Sequence, residues 1–181
     1  MKTIAAPIRL IVGLGNPDPE YAPTYHNVGH QFVMFLIATQ ASCLPESASP
    51  VCSMKLLKTD AYMNESGAYV AEALKKYGAR AADALVVHDD SDLAVGEWKF
   101  SFARNAGGHR GVQNVIDHLG TNMFWRLRVG IRPKASLRPA LGEPAKKWVK
   151  AEKFVLKKIS PADRKAIDGV FAEALAALGG L

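Results

Sequence analysis

The sequence predicts an α/β fold in which a mixed central β-sheet carries helices on both faces. Strand-like stretches rich in β-branched and aromatic residues alternate along the chain with helix-like stretches. A length of 181 residues fits a single domain over 1–181, which is long enough to bury a core. The composition is 49% hydrophobic and 22% charged, which is typical of a folded globular chain and excludes a disordered one.

The five predicted strands are apolar or aromatic stretches at 8–14, 53–58, 84–88, 97–102 and 125–131. An acidic turn separates the third from the fourth, so we expect these two to pair antiparallel and to make the sheet mixed. We expect the third strand to end at His88. Because neighbouring strand residues point to opposite faces, Asp89 would then lean over a crevice, while Asp90 and Asp92 would occupy a solvated turn.

The predicted helices have recognisable start and stop signals. Helix-like stretches cover 28–40, 67–77 and 111–119, and a fourth runs from Ser160-Pro161-Ala162-Asp163 to about Leu178. Ser160 suits the N-cap and Pro161 the first turn, whereas Gly78 and Gly120 suit the left-handed residue at a helix end. The stretches 41–52 and 132–149 lack a regular pattern, and we expect 132–149 to form a mobile loop or lid.

The bulk sequence also restricts location and partners. No stretch approaches the roughly 20 apolar residues of a membrane helix, and residues 1–7 lack a signal-peptide core, so we expect a cytoplasmic protein. Cys43 and Cys52 are then expected to be free thiols. Residues 1–90 carry 7 Lys/Arg against 9 Asp/Glu, and residues 91–181 carry 16 against 8. The basic half indicates either a face that binds a polyanion or a solvated basic surface without a partner.

The run Gly13-Leu14-Gly15-Asn16-Pro17 ends the first strand in a tight turn. A dinucleotide-binding loop would need a third glycine, but Asp18 stands there and the prolines prevent a helix from starting at once. The chain also has no Gly-Lys-Ser/Thr motif for phosphate. The turn therefore places polar residues at a strand end, where the sites of α/β proteins usually lie.

Polar residues at predicted loop positions are the candidates for chemistry: Asn16, His26, Asn64, His88-Asp89-Asp90-Ser91-Asp92 and Gly107-Gly108-His109-Arg110-Gly111. Each has a structural alternative; Asn64, for example, could cap the helix that begins near Ser66. The acidic cluster could bind a hard divalent cation, but adjacent strand residues cannot converge, so no metal or other cofactor is expected. Asp89 could instead orient His26 as a base toward water, while amides hold a carbonyl and its developing oxyanion.

These motifs together resemble those of the bacterial peptidyl-tRNA hydrolase family. The matching segments, in order, are Ile11-Val12-Gly13-Leu14-Gly15-Asn16-Pro17, Glu20-Tyr21, Thr24-Tyr25-His26-Asn27-Val28-Gly29, Tyr62-Met63-Asn64-Glu65-Ser66-Gly67, Val87-His88-Asp89-Asp90-Ser91-Asp92-Leu93, Gly107-Gly108-His109 and Phe124-Trp125-Arg126-Leu127-Arg128-Val129-Gly130-Ile131. They span about residues 8–132. Each motif alone is weak, but the ordered set is highly specific.

The resemblance implies a monomeric α/β enzyme that cleaves the ester between a peptide and the terminal ribose of its tRNA. By resemblance, His26 is the catalytic base and Asp89 its partner. The remaining implied roles are substrate binding by Asn16, Tyr21, Met63, Asn64, His109 and Arg110, and tRNA binding by Lys99, Arg126 and Arg128. The expected partner is peptidyl-tRNA, with no membrane.

Three departures from the family pattern stand out. Arg110 replaces an asparagine that usually follows Gly-Gly-His; either the arginine contacts substrate, or Gln113 or Asn114 supplies the missing amide. Thr59 and Ala61 replace the Pro and Thr that commonly precede Tyr-Met-Asn, and the stretch 41–53 looks shortened. Arg110 also motivates an alternative, a catalytically silent RNA-binding member. A hydrolase of some unrelated small ester is a third hypothesis.

Overall fold

The computed structural model describes residues 8–41, 53–133 and 150–179. Its strands are β1 (Leu10–Gly13), β2 (Lys55–Lys58), β3 (Ala84–Ala94), β4 (Trp98–Phe102) and β5 (Trp125–Arg132). They form one sheet in the order β2–β1–β3–β5–β4. Among these five strands, β4 alone runs antiparallel to its neighbour, so the sheet is mixed as predicted.

Four helices cover the two faces of the sheet: α1 (Val28–Ala41), α2 (Ser66–Lys76), α3 (Arg110–Leu119) and α4 (Pro161–Gly179). Alternate strand residues point to opposite faces, which divides the apolar core into two layers. Ile11 and Leu85 pack in the layer that includes α1 and α4. Leu10 and Val86 pack in the layer that includes α2 and α3. The predicted arrangement of helices on both faces is confirmed.

The first turn of α1 lies directly against the backbone of the sheet. A Cβ atom on Gly29 would be 2.4 Å from the carbonyl oxygen of Val87, and one on Gly13 would be 2.2 Å from the carbonyl oxygen of Gly29. Real Cβ atoms do not approach so closely, so glycine is needed at both positions. This contact fixes the chain just before α1 close to the ends of β1 and β3.

The structure corrects two expectations about the third strand. β3 does not end at His88 but continues to Ala94. It does not pair with β4 either, because β5 lies between them and binds both. Asp90 consequently lies within a strand, where it is buried and accepts a hydrogen bond from Arg128 Nε, rather than in a solvated turn. β3 is this long because it pairs with β5, which follows 30 residues later in the chain. The local sequence of β3 does not reveal this pairing.

The predicted helix ends are confirmed to within two residues. Gly78 and Gly120 have positive φ angles of 56° and 64°, as the left-handed position at a helix end requires. Ser160 Oγ accepts a hydrogen bond of 3.1 Å from the backbone N–H of Asp163, which is the expected N-cap interaction of α4. No helix in the described parts of the chain is long and apolar enough to cross a membrane.

Two expectations fall on parts of the chain outside the described residues. The shortened stretch with Cys43 and Cys52 lies almost wholly within 42–52, and the proposed lid lies within 134–149 apart from its first two residues.

Candidate active site

A cleft of about 1080 Å³ lies above the ends of β1 and β3 and beside β5. The sequence-predicted residues that line it come from separate loops and strands: Asn16, His26, Met63, Asn64, Asp89, His109, Arg110, Arg126 and Arg128. The ends of neighbouring parallel strands thus bring together residues up to about a hundred positions apart in the chain, as α/β sheets commonly do.

His26 is held by both its backbone and its side chain. It lies in the short 3₁₀ turn Tyr25–Asn27 that leads into α1, and its backbone N–H donates a 2.8 Å hydrogen bond to the carbonyl of Val155. Its Nδ1 lies 2.8 Å from Oδ1 of Asp89. The imidazole is 18% exposed and Asp89 is 3% exposed, so the ring borders the cleft while the carboxylate is buried behind it.

The hydrogen bond to Asp89 determines which nitrogen of His26 carries a proton. An ionised carboxylate only accepts hydrogen bonds, so Nδ1 must donate. In the neutral ring Nε2 is then unprotonated and able to accept a proton. Burial lowers the pKa of His26, but the charge of Asp89 and the hydrogen bond to it outweigh burial, and the pKa is raised overall.

His109 binds the same carboxylate oxygen as His26. Its Nε2 lies 2.9 Å from Oδ1 of Asp89, while its Nδ1 accepts a 3.2 Å hydrogen bond from the backbone N–H of Val112. His109 is therefore the N-cap of α3, a role that the sequence did not reveal. Since Nδ1 is an acceptor, Nε2 carries the proton that is donated to Asp89.

Asp89 stays ionised although it is buried. Burial raises the pKa of this carboxyl, but the two imidazoles that donate to it have the larger effect and hold the pKa far below its usual range. One ring nitrogen of His26, one of His109 and a carboxylate oxygen of Asp89 also lie within 4.8 Å of one another, close enough to share a metal ion. In the structure, Nδ1 of His26 and Nε2 of His109 each form a hydrogen bond with Oδ1 of Asp89.

Asn16 is fixed at the base of the cleft by three hydrogen bonds. Its backbone N–H donates to Oδ1 of Asn27 at 2.9 Å, and its carbonyl accepts from Nδ2 of Asn27 at 2.8 Å. Its side-chain Oδ1 accepts from the backbone N–H of Met63 at 2.9 Å. The side-chain NH₂ makes no hydrogen bond with a described residue, which leaves a donor for a ligand. No role for Asn27 was evident from the sequence, although the residue stands directly beside His26.

The other predicted substrate-binding residues differ in how they meet the cleft. Met63 is buried and lines it, whereas Asn64 is exposed at its edge and does not cap α2. Tyr21 lies outside the cleft lining, in the turn Pro19–Tyr21. Tyr62, which the sequence analysis passed over, lines the cleft and donates a 2.5 Å hydrogen bond to the carboxylate of Asp18.

Arg110 lies at the mouth of the cleft, where its guanidinium is 3.5 Å from a carboxylate oxygen of Glu152. The two amides that could replace the family's asparagine have other partners. Asn114 Oδ1 accepts from the backbone N–H of Gly67, and Gln113 Nε2 donates to Asp117. Neither amide lines the cleft, so the geometry favours the arginine of the two alternatives.

The three predicted RNA-binding cations are not equivalent. Lys99 is exposed on β4 opposite Arg128 of β5, and Arg128 is paired with the buried carboxylate of Asp90. Arg126 is 2% exposed, and burial together with the charges of Arg128 and Arg104 lowers its pKa to about 10. Lys99 is thus the most accessible of the three for a phosphate.

The fold and the site define an α/β protein whose open cleft holds an imidazole oriented by a buried carboxylate. A family model described as peptidyl-tRNA hydrolase matches residues 10–181, and the chain belongs to this family. A peptidyl-tRNA hydrolase of Aquifex aeolicus is 37% identical over 180 residues, which cover 94% of this chain and 88% of the relative. One from Moorella thermoacetica is 36% identical over 176 residues, which cover 92% and 87%.

A solved structure agrees with the sequence relatives. The crystal structure of peptidyl-tRNA hydrolase from Acinetobacter baumannii superposes with a TM-score of 0.73 at 31% sequence identity. The match covers 94% of this chain and 86% of that chain. The family resemblance expected from the ordered motifs is thereby confirmed.

Proposed function

We propose that this protein hydrolyses the ester bond between the peptide and the tRNA of peptidyl-tRNA, with His26 as the base that activates water. The observation that carries the proposal is the 2.8 Å hydrogen bond between His26 Nδ1 and Asp89, in a cleft that also contains the amide of Asn16. Family membership over residues 10–181 supports the same activity.

The reaction follows from the protonation states at the site. Nε2 of His26 takes a proton from water as the water oxygen bonds to the ester carbonyl carbon. The carbonyl oxygen becomes an oxyanion, and the free NH₂ of Asn16 donates a hydrogen bond to it. When the tetrahedral intermediate collapses, the bond to the ribose oxygen breaks and the proton on Nε2 passes to that oxygen. Asp89 stays ionised and stabilises the imidazolium between the two transfers.

The polar groups around this centre would hold the two parts of the substrate. Met63 and Asn64 border the cleft on the side of α2, where they would contact the peptide. Lys99 and Arg128 lie on the adjacent surface of β4 and β5 and would bind RNA phosphates, with Arg126 adding positive charge beneath them. Such phosphate contacts weaken as salt rises because bound counterions are released.

The test is release of peptide from purified peptidyl-tRNA by wild type and by His26→Ala. We expect the substitution to lower kcat by about 10²–10⁴-fold, the usual contribution of a general base. His118→Ala is the matched control, since His118 is exposed on α3 and does not line the cleft. An inactive wild type, or an alanine variant as fast as wild type, would contradict the proposal. Salt-dependent RNA binding without cleavage would instead favour a silent RNA-binding protein.

We further propose that the protein acts as a monomer in the cytoplasm. One chain brings His26, Asp89 and Asn16 into the same cleft, so the proposed reaction needs no side chain from a second copy. Sedimentation equilibrium at assay concentrations should give the mass of one 19.6 kDa chain. A dimer mass under those conditions would contradict the monomer proposal.

A further inference from the structure

Thr59 is a buried residue directly after β2, and it holds the loop that carries Asn16. Its hydroxyl Oγ1 lies 3.3 Å from the backbone N of Gly15 and 3.2 Å from the carbonyl oxygen of the same residue. Its own backbone N–H donates a 3.1 Å hydrogen bond to the carbonyl of Gly13. Thr59 therefore binds the loop through both its main chain and its side chain, immediately before Asn16.

His30 closes the other side of this contact from the first turns of α1. Its Nε2 lies 2.9 Å from Thr59 Oγ1, and its ring is pressed against Gly15, where an added Cβ would lie 2.6 Å from the ring. Burial and the nearby Lys58 lower the pKa of His30 to about 4, so the ring is neutral at neutral pH. The Gly15 peptide is thus enclosed between a hydroxyl and an uncharged imidazole.

The hydrogen-bonding capacity of the hydroxyl is fully used in this arrangement. A threonine hydroxyl has one proton to donate and two lone pairs that accept. The proton can reach the Gly15 carbonyl, while the lone pairs accept from the Gly15 N–H and from Nε2–H of His30. Each member then has a partner, which is what a buried polar group requires.

We propose that Thr59 and His30 are positioning residues for Asn16 in the hydrolytic reaction. The proposal rests on the role of Asn16 in the proposed function. Asn16 Oδ1 is already committed to the backbone N–H of Met63, so the direction of its NH₂ depends on where the Gly15–Asn16 peptide lies. Thr59 and His30 fix the Gly15 side of that peptide, and Asn27 fixes the Asn16 side.

The experiment compares Thr59→Val, which loses the hydroxyl at nearly constant volume, with Thr59→Ser, which keeps it. We expect Thr59→Val to lower kcat by about 10–100-fold with little change in KM, because a misplacement of about 1 Å in a catalytic group has effects of this size. Thr59→Ser should recover most of the rate. Thr39→Val is the control, since Thr39 does not line the cleft and its hydroxyl donates a hydrogen bond to the carbonyl of Phe35 in its own helix.

A double-mutant cycle with Asn16→Ala separates positioning from a general loss of structure. If Thr59 acts through Asn16, Thr59→Val should have little further effect on kcat once the amide is gone. His30→Ala should likewise lower kcat in the wild-type background but have little effect in the Asn16→Ala background. This second variant tests the proposal if Thr59→Val fails to fold. Equal losses in both backgrounds, or a Thr59→Val enzyme with the kcat of wild type, would overturn the proposal. An Asn16→Ala enzyme with full activity would instead contradict the proposed role of Asn16.

Discussion

The two ends of the cleft differ in how firmly their polar side chains are held. At one end, Asp89 is 3% exposed and accepts hydrogen bonds from both His26 and His109. At the other end, Arg110 and Glu152 are 80% and 75% exposed and only 3.5 Å apart. At the first, the buried end, the positions of the side chains are fixed before substrate binds. At the second, the exposed end, the side chains can change partners.

This difference matches two separate demands on an enzyme that acts on an RNA ester. Charge developing at the reacting carbonyl is stabilised best by groups that need not reorganise. Binding of a flexible polyanion gains mainly from exposed cations, and it tolerates motion. We therefore expect substitutions at the buried end to alter kcat and those at the exposed end to alter KM.

The largest effect should follow Asp89→Asn. The amide removes the negative charge that stabilises the imidazolium, and its NH₂ can force the wrong tautomer on His26. We expect kcat to fall by about 10²–10⁴-fold. Single-turnover release of peptide at saturating enzyme measures the effect on the chemical step. A change confined to KM would show that the buried end is not the reacting end.

The pH dependence should show that neutral His26 is the active form. Below its pKa the ring is protonated and cannot act as a base, so kcat/KM should rise about tenfold per pH unit and then level off. Asp89 raises the pKa of His26, which places the midpoint above the ordinary imidazole value of about 6.5. In Asp89→Asn the residual rate should have its midpoint at lower pH. A profile that is flat between pH 5 and 8 would contradict the assignment.

At the RNA side, Lys99→Met should weaken binding by a smaller amount. Loss of one phosphate contact should reduce the slope of log affinity against log salt by about 1, with kcat unchanged. Lys75→Met is the matched control, because Lys75 is an exposed lysine on α2 that does not line the cleft. Titration of tRNA at several salt concentrations gives the slopes. Identical slopes for the two variants would argue against Lys99 as a phosphate ligand.

The smallest effect is expected for Arg110→Asn, which restores the residue usual in the family. An exposed ion pair contributes little, so the free energy of unfolding should change by less than about 1 kcal/mol. We expect KM to change by about threefold or less, and Glu152→Gln to be similarly mild. A fall in kcat comparable to that of Asp89→Asn would show that Arg110 belongs functionally to the buried end.

Sequence alone predicted the elements of the fold well, because the continuous apolar run of β1 and the Ser160 and Gly120 helix signals are local. Motif order further identified His26, Asp89 and Asn16, which the structure places in one cleft. The extension of β3 to Ala94 and its pairing with β5 depend on distant residues, and no local pattern shows them.

The contacts missed at the site are also long-range. His109 and Asp89 stand 20 residues apart, and Thr59 and His30 stand 29 apart. Each of these residues looks ordinary in its own segment. The oxygen of Asp89 that two imidazoles share, and the buried hydroxyl of Thr59, acquire their partners only when distant segments pack together. The sequence gives the donors and acceptors of each side chain but not which of them meet.

The lack of a side chain at Gly29 affects the position of His26, which stands three residues earlier in the chain. With no side chain there, α1 rests at backbone contact on the sheet, and the ring of His26 reaches a carboxylate rooted in β3. One methyl group, as in Gly29→Ala, would wedge helix and sheet apart and stretch the imidazole–carboxylate contact. The absence of a side chain at Gly29 thus maintains the spacing between the imidazole of His26 and the carboxylate of Asp89.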